Sequence, residues 1–275
     1  EIIRKDAKKL PLYMGDTGKK KEKKIDVETS FYKSLVLEFF SFYPQLIKKI
    51  KDILPRFLME TNFGTRQGKG YGSFIINSQL IYTLDGKEYV YPKSTKNPPP
   101  KFKYFFEIKN STETEIFKKM KTFYSQLRGE LIEGYFIQKG IKWDRVAIKR
   151  KFKNGKETKD AYLVKDLLGL ATTETWENPK AQKKGFELKK EHIQSGEYKI
   201  ERFPSPVFFK PVKTEKNTYK VYIAFNENYK KMLGQQFKIT AEGSHKGGKD
   251  GLILSTPVDF DLNDFFKYVI KHKRL

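Results

Sequence analysis

Cysteine is absent from the 275 residues. That removes disulfides, cysteine zinc sites, iron–sulfur ligation and thiol catalysis together. Histidine is scarce: His192, His245 and His272 stand far apart, with no HExxH or HxH spacing. Neither a metal nor a cofactor is expected from such a set. Charge interrupts every apolar run within about ten residues, well short of the roughly 20 that a membrane helix needs. No signal-peptide pattern opens the chain, so the expectation is a soluble cytoplasmic protein without a membrane partner. Acidic residues are outnumbered, 33 Asp and Glu against 56 Lys and Arg, for a net charge of +23.

Aromatic residues make up 15% of the chain. A disordered polybasic chain lacks such groups, so this one has the means to bury a core. Its length allows one large domain or two smaller ones. The charge makes a polyanion the default partner, and lysine suits phosphate contact without base reading. Two stretches concentrate it. Residues 1–24 hold nine Lys or Arg, among them Lys19, Lys20, Lys21, Lys23 and Lys24. Residues 139–165 hold ten, including Lys149, Arg150, Lys151 and Lys153. Tyr and Phe interleave with both runs, which favours nucleic acid over a purely solubilising surface.

Hydrophobic spacing predicts the elements. Residues 10–14 read as a short strand. A helix over 28–43 is interrupted by Pro44, and a second apolar stripe follows (Leu46, Ile50, Ile53, Leu54, Phe57, Leu58), with Pro55 as a kink or stop. A strand opens at Phe74–Ile76. Residues 77–100 read as an irregular insertion. Lys103–Lys109 is a strand and Glu113–Leu127 a helix, with Ser111 or Thr112 as N-cap. A further strand is expected at 134–138, which completes a β-α-β-β-α-β order. Asn154-Gly155 reads as a turn between Val146–Phe152 and Thr158–Val164. The second half gives strands at Pro206–Val212, Tyr219–Phe225, Gln236–Thr240 and Gly251–Ser255, then a helix over about 260–271. Residues 171–199 are ambiguous. The fold class is α+β, read as two tandem ferredoxin-like (RRM-like) domains with insertions. One spans 1–138 with a Gly-rich loop; the other spans 139–275 with a basic connecting segment.

Four glycines, Gly64, Gly68, Gly70 and Gly72, fall in nine residues that also carry Arg66, Lys69 and Tyr71. Glycine lets backbone N–H groups approach a phosphate. Arg66 and Lys69 add charge, and Tyr71 offers a ring for a base or ribose. The alternative is a tight helix-to-strand connection whose glycines serve packing. Neither the P-loop nor the dinucleotide-binding spacing is met.

The run Gly64-Thr-Arg-Gln-Gly-Lys-Gly-Tyr-Gly-Ser-Phe74 resembles the glycine-rich loop of the RAMP superfamily, the RNA-binding subunits of CRISPR effector complexes. Leu10–Gly15 resembles that fold's first strand and turn. Ser205–Pro211 with the strand at 219–225 resembles a strand pair in the subunit at the tip of Cmr-type complexes. The resemblance implies tandem ferredoxin-like domains and a non-catalytic, antiviral role. It also implies other ribonucleoprotein subunits as partners and guide or target RNA held by Gly64, Arg66, Lys69, Gly70, Tyr71 and Gly72. Lys149, Arg150 and Lys151 join the candidate RNA contacts on charge. The 77–100 insertion and the lysine-rich segments fall outside the pattern, so a stand-alone antiviral or RNA-processing relative fits equally.

Two other readings stay open. Asp85 with Glu107-Ile-Lys109 follows the Asp…Glu-x-Lys order of PD-(D/E)xK nucleases, in which two carboxylates hold Mg²⁺ and the lysine polarises water or the scissile phosphate. Asp85 also reads as an ordinary turn residue. His245 is a candidate general base for metal-independent cleavage, while Asp259, Asp261 and Asp264 suit a helix N-terminus. The third reading is a protein-interaction scaffold whose charge maintains solubility.

Overall fold

The computed structural model describes residues 7–8, 29–30, 39–64, 67–74, 80–84, 87–91, 101–156, 160–176, 186–193, 199–215, 217–242 and 251–272. Helices accompany antiparallel and mixed sheets, an α+β architecture. The chain forms two compact units, residues 1–124 with 208–224, and 125–207 with 225–275.

The first unit begins with a short pairing of β1 (Ala7–Lys8) and β2 (Thr29–Ser30). Helix α1 (Pro44–Glu60) follows. Residues 39–43 are not helical, which corrects the helix expected to reach 43. Pro44 instead starts α1, because its fixed φ and missing N–H are tolerated at the first helical position. The helix continues past Pro55 and ends where the N–H and hydroxyl of Thr61 both reach Phe57 O, at 2.9 and 2.6 Å. Leu58 and Met59 are buried, but Leu46, Ile53 and Phe57 stay exposed, so only part of the expected apolar stripe is covered.

The supposed irregular insertion contains a β-hairpin, β3 (Leu80–Leu84) with β4 (Lys87–Tyr91). The expected strands at 10–14 and 74–76 fall wholly or mostly outside the described residues. Next come β5 (Tyr104–Ile108) and α2 (Glu113–Gln126). Thr112 and Glu115 form a capping box: Thr112 N–H donates to Glu115 Oε2 (2.7 Å), and Glu115 N–H donates to Thr112 Oγ1 (3.4 Å). Two strands from much later in the chain, β10 (Val207–Glu215) and β11 (Thr218–Phe225), complete a three-stranded sheet with β5 at one end. Phe123 of α2 packs on Phe106 (5.0 Å) and Phe209 (6.0 Å), which buries one face of that sheet. Each such fully buried ring contributes about 2–3 kcal/mol.

Beyond α2, residues 127–131 form one π-helical turn with a break at Gly129, followed by α3 (Ile132–Gln138). The strand expected at 134–138 is therefore a helix. Leu131, Ile132, Tyr135 and Phe136 recur at spacings of three and four, and all four are buried. After β6 (Lys142–Trp143) comes α4 (Asp144–Asn154). The expected hairpin around Asn154-Gly155 is absent there: Gly155, at φ +68°, caps the C-terminus of α4.

The second unit's sheet combines β6 with β7 (Ala161–Tyr162), β8 (Thr173–Trp176) and β9 (Phe186–His192), so the ambiguous 171–199 stretch supplies two strands. In the sequence order lie β10 (Val207–Glu215) and β11 (Thr218–Phe225) of the first unit, then β12 (Gln236–Glu242), β13 (Leu252–Ser255) and α5 (Leu262–His272). The sheet runs β6-β7-β13-β12-β9-β8, parallel among the first three and antiparallel beyond. Phe265, Phe266 and Val269 of α5 are buried, and Phe266 stacks on Phe225 at 5.5 Å. No described helix is long and apolar enough to cross a membrane.

Candidate nucleic-acid interface

The glycine-rich segment leaves α1 at Thr61 and is strapped to the edge strand β10. Phe209 N–H donates to Gly68 O (3.2 Å), and Lys69 bridges Phe209 in parallel fashion. Asn62, 2% exposed, donates its amide to Gln67 O (2.6 Å) and Phe209 O (2.7 Å). Ser73 Oγ donates to Pro211 O (2.6 Å). Lys210 lies beneath, wholly buried, and gives its ammonium to Thr61 O (3.0 Å), Ser73 Oγ (3.3 Å) and Asn62 Oδ1 (3.5 Å). Three hydrogens meet three acceptors from both ends of the loop. Burial, with the Lys101 charge adding to it, lowers Lys210 to about 7.

Two of the glycines serve packing. A Cβ at Gly72 (φ +68°) would stand 1.6 Å from Phe63 O, and one at Gly70 (φ +86°) would stand 2.5 Å from Met120 Cε. Tyr71 is buried too, its ring 4.6 Å from Phe117, so that ring belongs to the core. The open part is the tip. Gly64 has nothing within 4 Å of a Cβ position, Gln67 is exposed, and Phe63 is 58% exposed. Phe63 N–H donates to Gly72 O (2.7 Å), which fixes the residue beside the tip. Lys69, half-buried at the loop's root, places its ammonium 3.7 Å from the Tyr124 ring centroid. Arg66 lies outside the described residues.

The loop is pinned at both ends, and its residues Phe63, Gly64 and Gln67 are exposed. The Cmr1 N-terminal domain matches residues 1–130, and the Cmr1 C-terminal domain matches residues 111–274. The chain belongs to the Cmr1 family. The resemblance read from residues 64–74 is borne out, and the family is that of a subunit of Cmr-type (type III) CRISPR effector complexes. No curated protein and no solved structure matches the chain.

In this Cmr1-family chain the second basic stretch lies on α4, in the second unit. Lys142 of β6 and Arg145, Lys149 and Arg150 of α4 are exposed, and the spacing of four places Arg145 and Lys149 on one side of the helix. Lys151 departs from the expected trio: it is 8% exposed, on the inward side beside Phe152.

The nuclease residues are only partly assembled. Asp85 and His245 lie outside the described residues. Glu107 and Lys109 share a face of β5, but the Glu107 carboxylate stands between two ammonium groups, Lys220 (3.4 Å) and Lys109 (3.8 Å). Among the described residues no group of three or more His, Asp or Glu could hold a metal ion. Asp261 caps α5 by accepting Asp264 N–H (2.8 Å), in keeping with helix N-terminal charge. His192 is buried: its Nδ1 accepts Ile200 N–H (3.1 Å), which leaves Nε2 to donate to Gln235 Oε1 (2.9 Å).

A buried charge network in the second unit has no counterpart in the sequence reading. Lys190 contacts Asp166 (2.6 Å) and Glu174 (3.5 Å), and Glu174 also pairs with Lys165. Asp144, the first residue of α4, is 6% exposed, and its Oδ1 has no hydrogen-bond partner. Burial pushes Asp144 up to about 7, against the pull of Lys190 and with Asp166 and Glu174 adding to the rise. Burial also opposes ionisation of Glu174, but Lys190 and Lys165 outweigh it and hold that carboxyl at about 2. Lys165 and Lys190 balance Asp166 and Glu174 and leave Asp144 as the extra carboxyl, so the network reads as an internal brace.

Proposed function

We propose that this chain is a non-catalytic, RNA-binding subunit of a Cmr-type CRISPR ribonucleoprotein serving antiviral defence in the cytoplasm. Guide or target RNA lies with its sugar–phosphate backbone against the loop, from Gly64 and Arg66 to Lys69 at its root. Gly70, Tyr71 and Gly72 shape the turn rather than touch the ligand. Lys149 and Arg150 on α4 supply further phosphate contacts, while Lys151 packs inward. The two units are read as divergent ferredoxin-like domains, each setting an antiparallel ladder against helices. Other subunits of the complex are the protein partners.

The observation that carries this reading is the fastening of the loop. Asn62, Ser73 and Lys210 hold its ends to β10 while Phe63, Gly64 and Gln67 face solvent. A preordered turn loses little conformational entropy when a phosphate docks on it. The surrounding charge of +23 brings the polyanion in.

The test is a salt titration of single-stranded RNA binding by the full chain and by the double variant Arg66→Ala, Lys69→Ala. Each lost phosphate contact lowers the slope of log K against log salt by about 0.7. The expected result is a weaker complex across RNA sequences with a slope shallower by about 1.4. Unchanged affinity and slope refute the assignment.

A further inference from the structure

Along β5 and its flanks every second residue faces outward. Lys101, Lys103, Phe105, Glu107 and Lys109 are exposed, while Phe102, Phe106 and Ile108 are buried. Phe105 is 40% exposed, in the middle of the strand. It is also fixed in place. Its cross-strand neighbour is Tyr222, with ring centroids 5.9 Å apart, and the Lys220 ammonium lies 4.9 Å from its centroid. From residue 101 to 109 the strip carries three lysines and one carboxylate, Glu107, which lies 3.4 Å from Lys220 and 3.8 Å from Lys109. The charge around the ring is net positive. Residues i and i+2 on a strand stand about 6.6 Å apart, a spacing on the scale of one nucleotide step in an extended single strand.

We propose that the outer face of β5 is a second RNA site, where an unpaired base stacks on Phe105 while Lys103, two residues before it, and Lys109, four residues after it, neutralise phosphates along the strand. The inference rests on the RNA-binding reading above and extends it to a surface outside the glycine loop. Every base has a π-face, so this contact is tolerant of sequence. A protein partner fits the strip less well, because an interface centre is depleted in lysine.

The test uses the full chain and a fluorescein-labelled single-stranded oligouridylate. Phe105→Leu keeps the apolar bulk and removes the ring; Phe105→Trp keeps a ring. Phe105→Leu is expected to bind roughly tenfold more weakly with the salt slope unchanged, and Phe105→Trp to bind at least as well as the wild type. Lys103→Ala with Lys109→Ala is expected to make the slope shallower. Ultraviolet cross-linking followed by tryptic mass spectrometry reads the contact directly, with the Tyr104–Lys109 peptide carrying uridine. Wild-type affinity in Phe105→Leu and no adduct on that peptide overturn the proposal. If the Arg66, Lys69 double variant is weakened in the same experiment, the loop reading survives alone. If the wild-type chain binds no RNA, both readings fall. Loss of a protein partner from Phe105→Leu with RNA affinity intact also overturns it.

Discussion

Replacing Asp144 with asparagine removes a buried carboxylate without changing its shape. Burial and the nearby Asp166 and Glu174 carboxylates raise Asp144 from 3.8 to about 7, and Lys190 and Lys165 only partly offset them. In the unfolded chain the group ionises near 4. Between pH 4 and 7 the folded state therefore holds a proton that the unfolded state has released, and stability falls as pH rises through that window. Above pH 7 the loss is constant. The rise to about 7 sets a full cost on the order of 4 kcal/mol. Asp144→Asn should match the wild type at pH 4, gain under half the full amount at pH 5, and gain up to about 4 kcal/mol at pH 8. Urea unfolding at those three pH values, followed by tryptophan fluorescence, measures the gap. A variant less stable than the wild type at pH 8, or a gap that does not vary with pH, refutes the reasoning. The first result would mean that Lys190 and the N-terminus of α4 hold the carboxylate more strongly than burial disfavours it, and the second that the two effects cancel.

Gly72→Ala puts a Cβ 1.6 Å from Phe63 O at φ +68°, so it should cost about 3 kcal/mol or more in thermal unfolding and weaken RNA binding with it. Lys210→Met keeps the side chain's length but leaves Thr61 O, Asn62 Oδ1 and Ser73 Oγ without their donor. Amides of residues 61–73 should then exchange at least tenfold faster, while β11 amides are unaffected. Lys210 also gives the wild type a stability that rises from about pH 7 toward pH 10, because the unfolded lysine retains the proton that the buried one sheds; Lys210→Met should lack that rise.

Strong local signals carried much of the fold. The apolar spacing of 113–127 behind an N-cap at Ser111 or Thr112 marked α2, the alternation of Tyr219, Val221 and Ile223 marked β11, and the aromatic spacing of 260–271 marked α5. Short or two-sided signals did not. Gly134–Gln138 is five residues with two aromatics, too short to separate a period of two from 3.6, and it lies on α3. Asn154-Gly155 satisfies a hairpin turn and a helix C-terminus equally, and the helix prevails because Ala147, Ile148 and Phe152 all bury inward. At the candidate site, the glycine spacing pointed to the right loop and the right family. It could not tell which glycines were packed or that the open ring is Phe63 rather than Tyr71. Lys210 was invisible because a lysine in sequence reads as surface, and only the acceptors gathered around it reveal its place. Asp144, Asp166, Glu174 and Lys190 come from four separate elements, so nothing in their spacing announces them.

Ile108 of β5 pairs with Tyr219 of β11, roughly a hundred residues downstream, a separation that makes closure slow. Because β10 and β11 are emitted after most of the second unit, the first unit's sheet cannot finish while the ribosome is still making the middle of the chain. Until then β5 is a waiting template with a bare ladder edge, and the glycine loop has no β10 to fasten to. Nascent chains stalled before residue 207 should therefore be aggregation-prone and protease-sensitive through their N-terminal half, and competence to hold RNA at that loop should arrive late in translation.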